Sequence, residues 1–159
     1  LTGTTWWDDA SFSPRVVPGR GALLATYEAE IASHREGGKV ASDLPGFTGT
    51  GFFEPTATGS VLEWDDVAGG GGDRVVAIRY SWEGAAKPVD LFVNGTSQGR
   101  KTPVCTGRRG SYATENWSVN LAAGRNTVRL SIQTQGPARQ ICPTIDRLEV
   151  YAASASAAP

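Results

Sequence analysis

The chain has 159 residues, of which 40% are hydrophobic, and this is enough for one domain with an apolar core. Its net charge is −1 and its Lys and Arg residues are scattered, which argues against a nucleic-acid-binding surface. No apolar stretch approaches the roughly 18 residues that a membrane-spanning helix needs.

The predicted elements are β-strands throughout. Short alternating runs rich in Val, Ile, Tyr and Trp are separated by Gly, Asn and Pro clusters, and no window favours a long helix. This pattern indicates an all-β protein, an antiparallel β-sandwich, with a barrel as the alternative closure. The predicted strands lie at 24–31, 47–53, 60–67, 73–81, 88–94, 98–104, 113–121, 126–133 and 144–151.

The two ends differ in character from the middle. The chain begins with Leu1 rather than Met, which predicts a mature product or a piece of something longer. Residues 1–22 are predicted to be an N-terminal strand and linker, which either closes a preceding β-module or pairs with this domain's own sheet. The sandwich is predicted at 23–152, and the small-residue tail 153–159 begins a flexible linker.

Two carboxylates lie two positions apart in the first predicted strand. Glu28 and Glu30, in "YEAEIAS", would point to the same side of an extended chain and repel each other. They need either water or a cation, and hard oxygen ligands favour calcium. Asp146, in "PTIDRLEV" at the start of the last strand, is the candidate third ligand if the first and last strands are neighbours. The alternative is that both glutamates face solvent.

Strand direction gathers three connections at one end of the sandwich. Alternating the strands up and down places the loops 82–87, 105–112 and 134–143 together. Cys105 and Cys142 lie in two of these loops. A disulfide between them would stabilise the fold by about 3–4 kcal/mol on the chain-entropy model, and two free thiols are the alternative.

The same end carries aromatic and polar side chains suited to sugars. Sugar rings stack their C–H faces on Tyr and Trp, while Arg and Gln satisfy hydroxyls or a carboxylate. The alternative is that the aromatic rings only cover the end of the core. The candidate ligand-binding residues here are Trp82, Arg108, Arg109, Tyr112, Arg139 and Gln140.

Catalytic signals are weak. His34 is the single histidine and lies in the polar stretch "SHREGG", and no motif suggests a serine or acid partner for it. Among the paired acids only Glu28 and Glu30 would share a face, and a small sandwich rarely offers a deep cleft. A small hydrolase is therefore a distant alternative.

A family resemblance is carried by an ordered set of motifs. "YEAEIAS", "GFTGTGFFE", "RVVAIRYSW", "VDLFVNGTSQG", "VNLAAGRNTVRL" and "PTIDRLEVY" resemble the carbohydrate-binding modules of families 6 and 35, with family 35 closer. The resemblance implies a galactose-binding-domain-like jelly roll. It also implies a structural calcium ion held by Glu28, Glu30 and Asp146, and a second calcium at the sugar site in those members that bind uronic acids.

The resemblance further implies a sugar site in the loops at one end of the sandwich. Tyr112 is the nearest match to the aromatic residue that commonly stacks on the sugar, whereas Trp117 is predicted to be a core residue. The family often has Asn just before the "I-D" pair, and Thr144 stands there in this chain. Its hydroxyl offers the sugar fewer hydrogen-bonding groups.

The sequence thus predicts a secreted, non-catalytic, calcium-dependent carbohydrate-binding module. It would hold a covalently linked glycan-degrading enzyme on its polysaccharide, recognising uronic acid or galactose-type sugars. We expect a monomer that binds oligosaccharide or polysaccharide and neither nucleic acid nor membrane. The alternative is a structural β-sandwich that packs on a catalytic domain and binds no sugar.

Overall fold

The computed structural model describes residues 20–56, 59–83, 88–108, 110–132 and 143–153. Within this part of the chain, no helix has the length and apolar character that crossing a membrane requires. The elements are β1 (Arg20–Glu28), a 3-10 helix (Ala29–Ile31), β2 (His34–Glu36), β3 (Gly38–Ala41), β4 (Phe52–Pro55), β5 (Ser60–Ala68), β6 (Gly72–Ser81), β7 (Val89–Val93), β8 (Thr96–Lys101), β9 (Ala113–Leu121), β10 (Arg125–Ile132) and β11 (Thr144–Ala153).

Two antiparallel sheets form the sandwich. One sheet has the order β3-β4-β11-β6-β9, with β1 also paired to β11, and the other has the order β2-β5-β10-β7-β8. The predicted β-sandwich is confirmed. The first and last strands are hydrogen-bonded neighbours, with Glu28 opposite Arg147. Asp146 was expected to lie near Glu28 if the first and last strands were neighbours, and they are.

The core lies between the two sheets and follows the strand alternation. In β10, for example, every second residue is buried, because successive side chains point to opposite faces of a sheet. Trp117, predicted as a core residue, is 2% exposed and donates its indole N–H to the Gly99 carbonyl at 3.1 Å. Each large apolar side chain buried in this way stabilises the fold by roughly 1.5–3 kcal/mol.

The β7–β8 hairpin forms where the sequence places it. Asn94 and Gly95 have φ values of 50° and 85°, as the two central residues of a type I′ turn require. The Asn94 side chain accepts a hydrogen bond from the Thr127 amide at 2.8 Å, which ties the turn to β10. The hairpin is therefore supported by its turn chemistry and by a neighbouring strand.

Two predicted strands have different bounds in the structure. The strand predicted at 24–31 ends at Glu28, where the chain enters the 3-10 helix and buries Ala29 completely. The strand predicted at 47–53 begins only at Phe52, because Gly46 and Gly49 adopt φ values of 90° and 66° that an extended strand excludes. The residues ahead of it form a loop, and that loop reaches the carboxylates.

Two short strands were missed at 34–36 and 38–41. These are β2 and β3, which pair with β5 and β4 and expose most of their side chains. Polar residues suit such edge positions, so no alternating pattern marks them. His34 is exposed in β2, with Nε2 3.4 Å from the Glu36 carboxylate.

The described domain reaches slightly beyond the predicted boundaries. β1 already begins at Arg20 and β11 continues to Ala153. Residues 1–19 and 154–159 lie outside the described residues. Whether the N-terminal strand belongs to this domain therefore stays a prediction.

Candidate functional site

Three carboxylates converge on the loop between β3 and β4, and we call Glu28, Glu30 and Asp146 the carboxylate cluster. Thr48 Oγ1 donates to Glu28 Oε2 at 2.7 Å and lies 3.1 Å from Asp146 Oδ2. The Thr48 amide donates to Asp146 Oδ1 at 2.8 Å, and the Thr50 amide to Glu30 Oε1 at 2.6 Å. The loop thus ties together acids from β1, the 3-10 helix and β11.

Glu28 and Glu30 lie close together, but the backbone geometry that brings them together differs from the prediction. Glu28 ends a strand whereas Glu30 lies in the 3-10 helix, so strand alternation does not place them on one face. The close approach of Gly49 shows their proximity: a Cβ there would lie 2.1 Å from Glu30 Oε1 and 3.2 Å from Glu28 Cδ. The prediction of two neighbouring carboxylates was right, but its geometric reason was wrong.

The cluster is rich in negative charge. Burial raises the pKa of the Glu28 carboxyl above its ordinary value, and the neighbouring Asp146 and Glu30 raise it further, against the lowering effects of Thr48 and Arg147. The Asp146 side chain is fully buried and pairs with the Arg79 guanidinium. Among the described residues, Glu30 Oε2 is buried and has no hydrogen-bond partner.

The chemistry of these donors fits a hard divalent cation. Carboxylate and carbonyl oxygens are the ligands that calcium takes, and an unpartnered buried carboxylate oxygen is a position that a cation would satisfy. As folded here, the described residues contain no group of three or more His, Cys, Asp or Glu side chains placed to hold a metal ion. The Asp146 oxygens are engaged by the Thr48 amide and the Arg79 guanidinium. The calcium role of Glu28, Glu30 and Asp146 therefore stays a prediction.

Substituting Gly49 by Ala is expected to destabilise the protein by about 1–3 kcal/mol, because its φ of +66° strains an L-residue and the new methyl group meets the carboxylates. Urea unfolding measures the effect. Gly124→Ala is the matched control, since Gly124 has a φ of +85° and nothing within 4 Å of an added Cβ. Equal losses in the two variants would mean that the carboxylates do not crowd position 49.

The rim, defined as residues 81–83, 104–108 and 110–112 with the loop 42–51, lies at one end of the sandwich. The Thr106 amide donates to the Trp82 carbonyl at 2.7 Å, and the Gly110 amide donates to Ser81 Oγ at 2.8 Å. A Cβ on Gly46 would lie 2.9 Å from the Tyr112 ring. The predicted meeting of the connections after β6 and β8 is confirmed for the described residues.

Tyr112 links the rim to the carboxylate cluster. Its ring is half-buried, and the Arg79 guanidinium carbon lies 4.1 Å from the ring centroid. The same guanidinium pairs with Asp146 and donates to the Gly46 carbonyl at 3.1 Å. Cation–π contact of this kind holds an aromatic ring in one orientation. Arg79 therefore couples the ring to the cluster directly.

Several solved structures similar to this chain are carbohydrate-binding modules. The structure described as Xyl-CBM35, in complex with a glucuronic acid containing disaccharide, is 33% identical to this chain, with a TM-score of 0.67. The match covers 83% of this chain and 94% of that one. The chain belongs to family 35 of the carbohydrate-binding modules. The predicted resemblance is thereby confirmed, and so is the broad function of carbohydrate binding.

Two further structures extend this comparison. The family 35 module from Paenibacillus barcinonensis is 28% identical over 81% of this chain and 99% of that module, with a TM-score of 0.72. The cycloalternan-forming enzyme from Listeria monocytogenes, in complex with a pentasaccharide substrate, is 27% identical with a TM-score of 0.70. There the match covers 80% of this module but 12% of the enzyme. Comparisons with protein-family models and with curated proteins gave no match.

Two predicted sugar contacts of the module are wrong. The Trp82 side chain is 4% exposed and belongs to the apolar core, so its ring offers no face to a sugar. Thr144 is 1% exposed and donates its hydroxyl to the Ser81 carbonyl at 3.2 Å. In both cases the fold uses the residue to close the end of the sandwich. Arg108 is exposed at the rim, as predicted for a ligand contact.

Several predicted residues lie outside the described part of the module. These are Arg109, Arg139, Gln140 and Cys142. Cys105 is exposed and forms no disulfide with a described residue. The Cys105–Cys142 bridge therefore stays a prediction.

Sequence reasoning missed three residues of the module's site. Thr48 and Thr50 anchor the carboxylates, and Arg79 joins them to Tyr112. The alternation of Gly and Thr in "GFTGTG" was an available signal, since hydroxyls and free amides in a glycine-rich loop suit anions. The sequence did not mark Arg79 as a site residue, because Arg79 lies within the ordinary alternating pattern of a β-strand.

Proposed function

We propose that this module binds a glycan at the rim beside Tyr112 in a calcium-dependent manner. The observation that carries the proposal is the chain of contacts from Tyr112 through Arg79 to Asp146. A sugar face stacks on the exposed part of the tyrosine ring, and polar groups of the rim satisfy its hydroxyls. The Arg79 guanidinium, which pairs with Asp146, packs against the Tyr112 ring and keeps the ring in place.

Calcium would be held by Glu28, Glu30 and Asp146 and would supply positive charge to a cluster of like charges. Its role is structural: it secures the loop 46–50, which contacts both the cluster and the Tyr112 ring. Three residues of this chain position the loop in any case. Thr48 and Thr50 hold its backbone to the acids, and Arg79 binds the Gly46 carbonyl.

The ligand class is an acidic or galactose-type sugar. The related module bound to a glucuronic acid containing disaccharide supports the acidic choice. The rim adds the exposed Arg108, and guanidinium groups pair with carboxylates. We expect glucuronic acid to bind more tightly than glucose, because the two sugars differ only in the carboxylate.

Tyr112→Ala is expected to weaken sugar binding by roughly 5- to 30-fold while leaving the melting temperature within a few degrees. Stacking on an aromatic ring contributes about 1–2 kcal/mol, and the ring is only half-buried. Isothermal titration calorimetry with glucuronic acid, galactose and mannan-derived oligosaccharides in the presence of calcium measures the effect.

Tyr112→Phe is the matched control, because it keeps the ring and removes only the hydroxyl. It should retain most of the affinity. If the unmodified protein binds no uronic acid, galactoside, mannan or glucan at millimolar concentration, the alternative of a structural β-sandwich replaces this proposal.

The module would act for a secreted glycan-degrading enzyme to which it is covalently linked. Tethering raises the local concentration of enzyme on an insoluble glycan without changing its chemistry. A relative in which the matching part is 12% of an enzyme supports such an arrangement. Deleting the module from its parent should slow attack on insoluble polysaccharide and spare soluble oligosaccharides. Equal slowing on both substrates would contradict targeting.

A further inference from the structure

A second polar surface lies on the outer side of the six-stranded sheet. We call it the arginine face and define it by Arg20, Arg79, Arg147, Glu149 and Tyr151. Strand register places it: Arg147 lies opposite Arg79, while Glu149 and Tyr151 follow at alternate positions along β11. Residues between these in β11 are buried in the core, so the face points away from the sandwich interior.

Buried Glu149 organises this face. Its side chain is 4% exposed, and its Oε2 accepts hydrogen bonds from Arg147 Nε at 2.7 Å and Nη2 at 2.5 Å. The Tyr151 hydroxyl donates to Glu149 Oε1 at 2.7 Å. Arg20 donates to the Tyr151 hydroxyl, and its guanidinium carbon lies 3.9 Å from the tyrosine ring centroid. The arginines are therefore held in fixed orientations before any ligand arrives.

These side chains border a depression of about 200 Å³. That volume is several times the roughly 30 Å³ that one water molecule occupies in the liquid. The Arg20, Arg79 and Arg147 side chains are 26%, 23% and 24% exposed, so each keeps part of its guanidinium in contact with solvent. The depression is lined by Arg20, Arg79, Tyr112, Arg147, Glu149 and Tyr151, among others.

The face presents guanidinium groups at a depression open to solvent. Arg20 and Arg147 pair with Glu149, and Arg79 pairs with Asp146. Glu28 lies opposite Arg147 in the register, so the three guanidinium groups are balanced by three carboxylates and the face has no excess charge. Planar guanidinium groups pair best with planar carboxylates through two parallel hydrogen bonds. Flanking tyrosine rings are the usual partners of sugar C–H faces.

We propose that the arginine face is a second glycan-binding site of the module, adjoining the rim, and that it takes a sugar unit bearing a carboxylate. Arg20 and Arg147 bind the carboxylate, and the Tyr151 and Tyr112 rings border the sugar. The two sites meet at Arg79 and Tyr112, so a single acidic chain reaches both. This second site goes beyond the proposed sugar binding at the rim. If the second site is refuted, the proposed binding at the rim still stands.

The test compares variants that separate the two sites, in the full chain with calcium present. Arg20→Ala leaves the buried Arg147–Glu149 pair intact and is expected to weaken glucuronic acid binding at least fivefold, without changing the affinity for galactose. Arg20→Lys should recover part of the loss, because it restores the charge but not the planar fork. Arg125→Ala is the matched control, since Arg125 is exposed on β10 in the other sheet.

A second measurement needs no variant. Titration of glucuronic acid into the unmodified protein is followed through the side-chain Nε–H resonances of its arginines by NMR. Shifts of Arg20 and Arg147 that saturate are expected. Shifts confined to the rim, or unchanged glucuronic acid affinity in Arg20→Ala, would overturn the second site while leaving the rim proposal standing. Tighter binding of a sulfated sugar than of glucuronic acid would overturn the carboxylate assignment.

Discussion

Asp146→Ala is expected to lower the free energy of unfolding by about 3–5 kcal/mol, because it removes one partner of a buried ion pair. The Asp146 side chain has no solvent exposure, while Arg79 is about a quarter exposed and would keep an uncompensated charge. The Thr48 amide would lose its acceptor at the same time, while the Thr48 hydroxyl would keep Glu28. A loss of this size is a large share of the roughly 5–15 kcal/mol by which a domain is stable.

Urea unfolding at fixed calcium concentration measures this loss. Asp146→Asn keeps the shape and one acceptor oxygen, so it should cost less than Asp146→Ala. Asp65→Ala is the matched surface control, because Asp65 is exposed in the middle of β5. If Asp146→Ala loses no more stability than Asp65→Ala, then Asp146 does not hold the carboxylate cluster together.

Removal of calcium by a chelator is expected to lower the melting temperature by roughly 10 °C. A ligand that binds only the folded state at about 100 times its dissociation constant contributes about 2.7 kcal/mol, and that converts to a shift of this order for a domain of this size. The physical cause is repulsion among the Glu28, Glu30 and Asp146 carboxylates; burial raises the pKa of Glu28, and the other two carboxylates raise it further. Differential scanning calorimetry with and without chelator measures the shift.

The double variant Glu28→Gln with Glu30→Gln supplies the control for the calcium effect. It removes the like charges and the anionic ligands together, so its melting temperature should no longer depend on calcium. Magnesium should replace calcium poorly, since it demands a tighter octahedral arrangement than an irregular cluster provides. A melting temperature of the unmodified protein that is the same with calcium and with chelator would refute the cation at this site.

Local patterns of the sequence were sufficient for most strands and for one turn. Alternation identified β5, β6, β9 and β10 to within a residue or two, because each buries one face against the other sheet. The Asn94–Gly95 pair identified the β7–β8 hairpin, because few other residues tolerate both positive φ values. Edge strands with polar side chains carried no such signal, and β2 and β3 were missed for that reason.

The burial of Trp82 and Thr144 at the end of the sandwich could not be predicted from the sequence alone. Trp82 begins one predicted loop and Thr144 directly follows another, and a position in or beside a loop favours exposure. In the structure, Thr106 binds the backbone of Trp82, whose side chain belongs to the core, and buried Thr144 binds the Ser81 carbonyl. Tyr112, a few residues further along, remains half-exposed beside Arg79.

The amino-acid sequence by itself determined that this protein is a β-sandwich of the family 35 type and that Glu28, Glu30 and Asp146 belong together. The tertiary structure alone decided how they meet, through a 3-10 turn and the Thr48–Thr50 loop, and it alone placed Arg79 between Asp146 and Tyr112. The physical reason is that strand alternation depends on near neighbours in the chain. The contacts of the site join residues far apart in sequence, and only the register of paired strands brings them together.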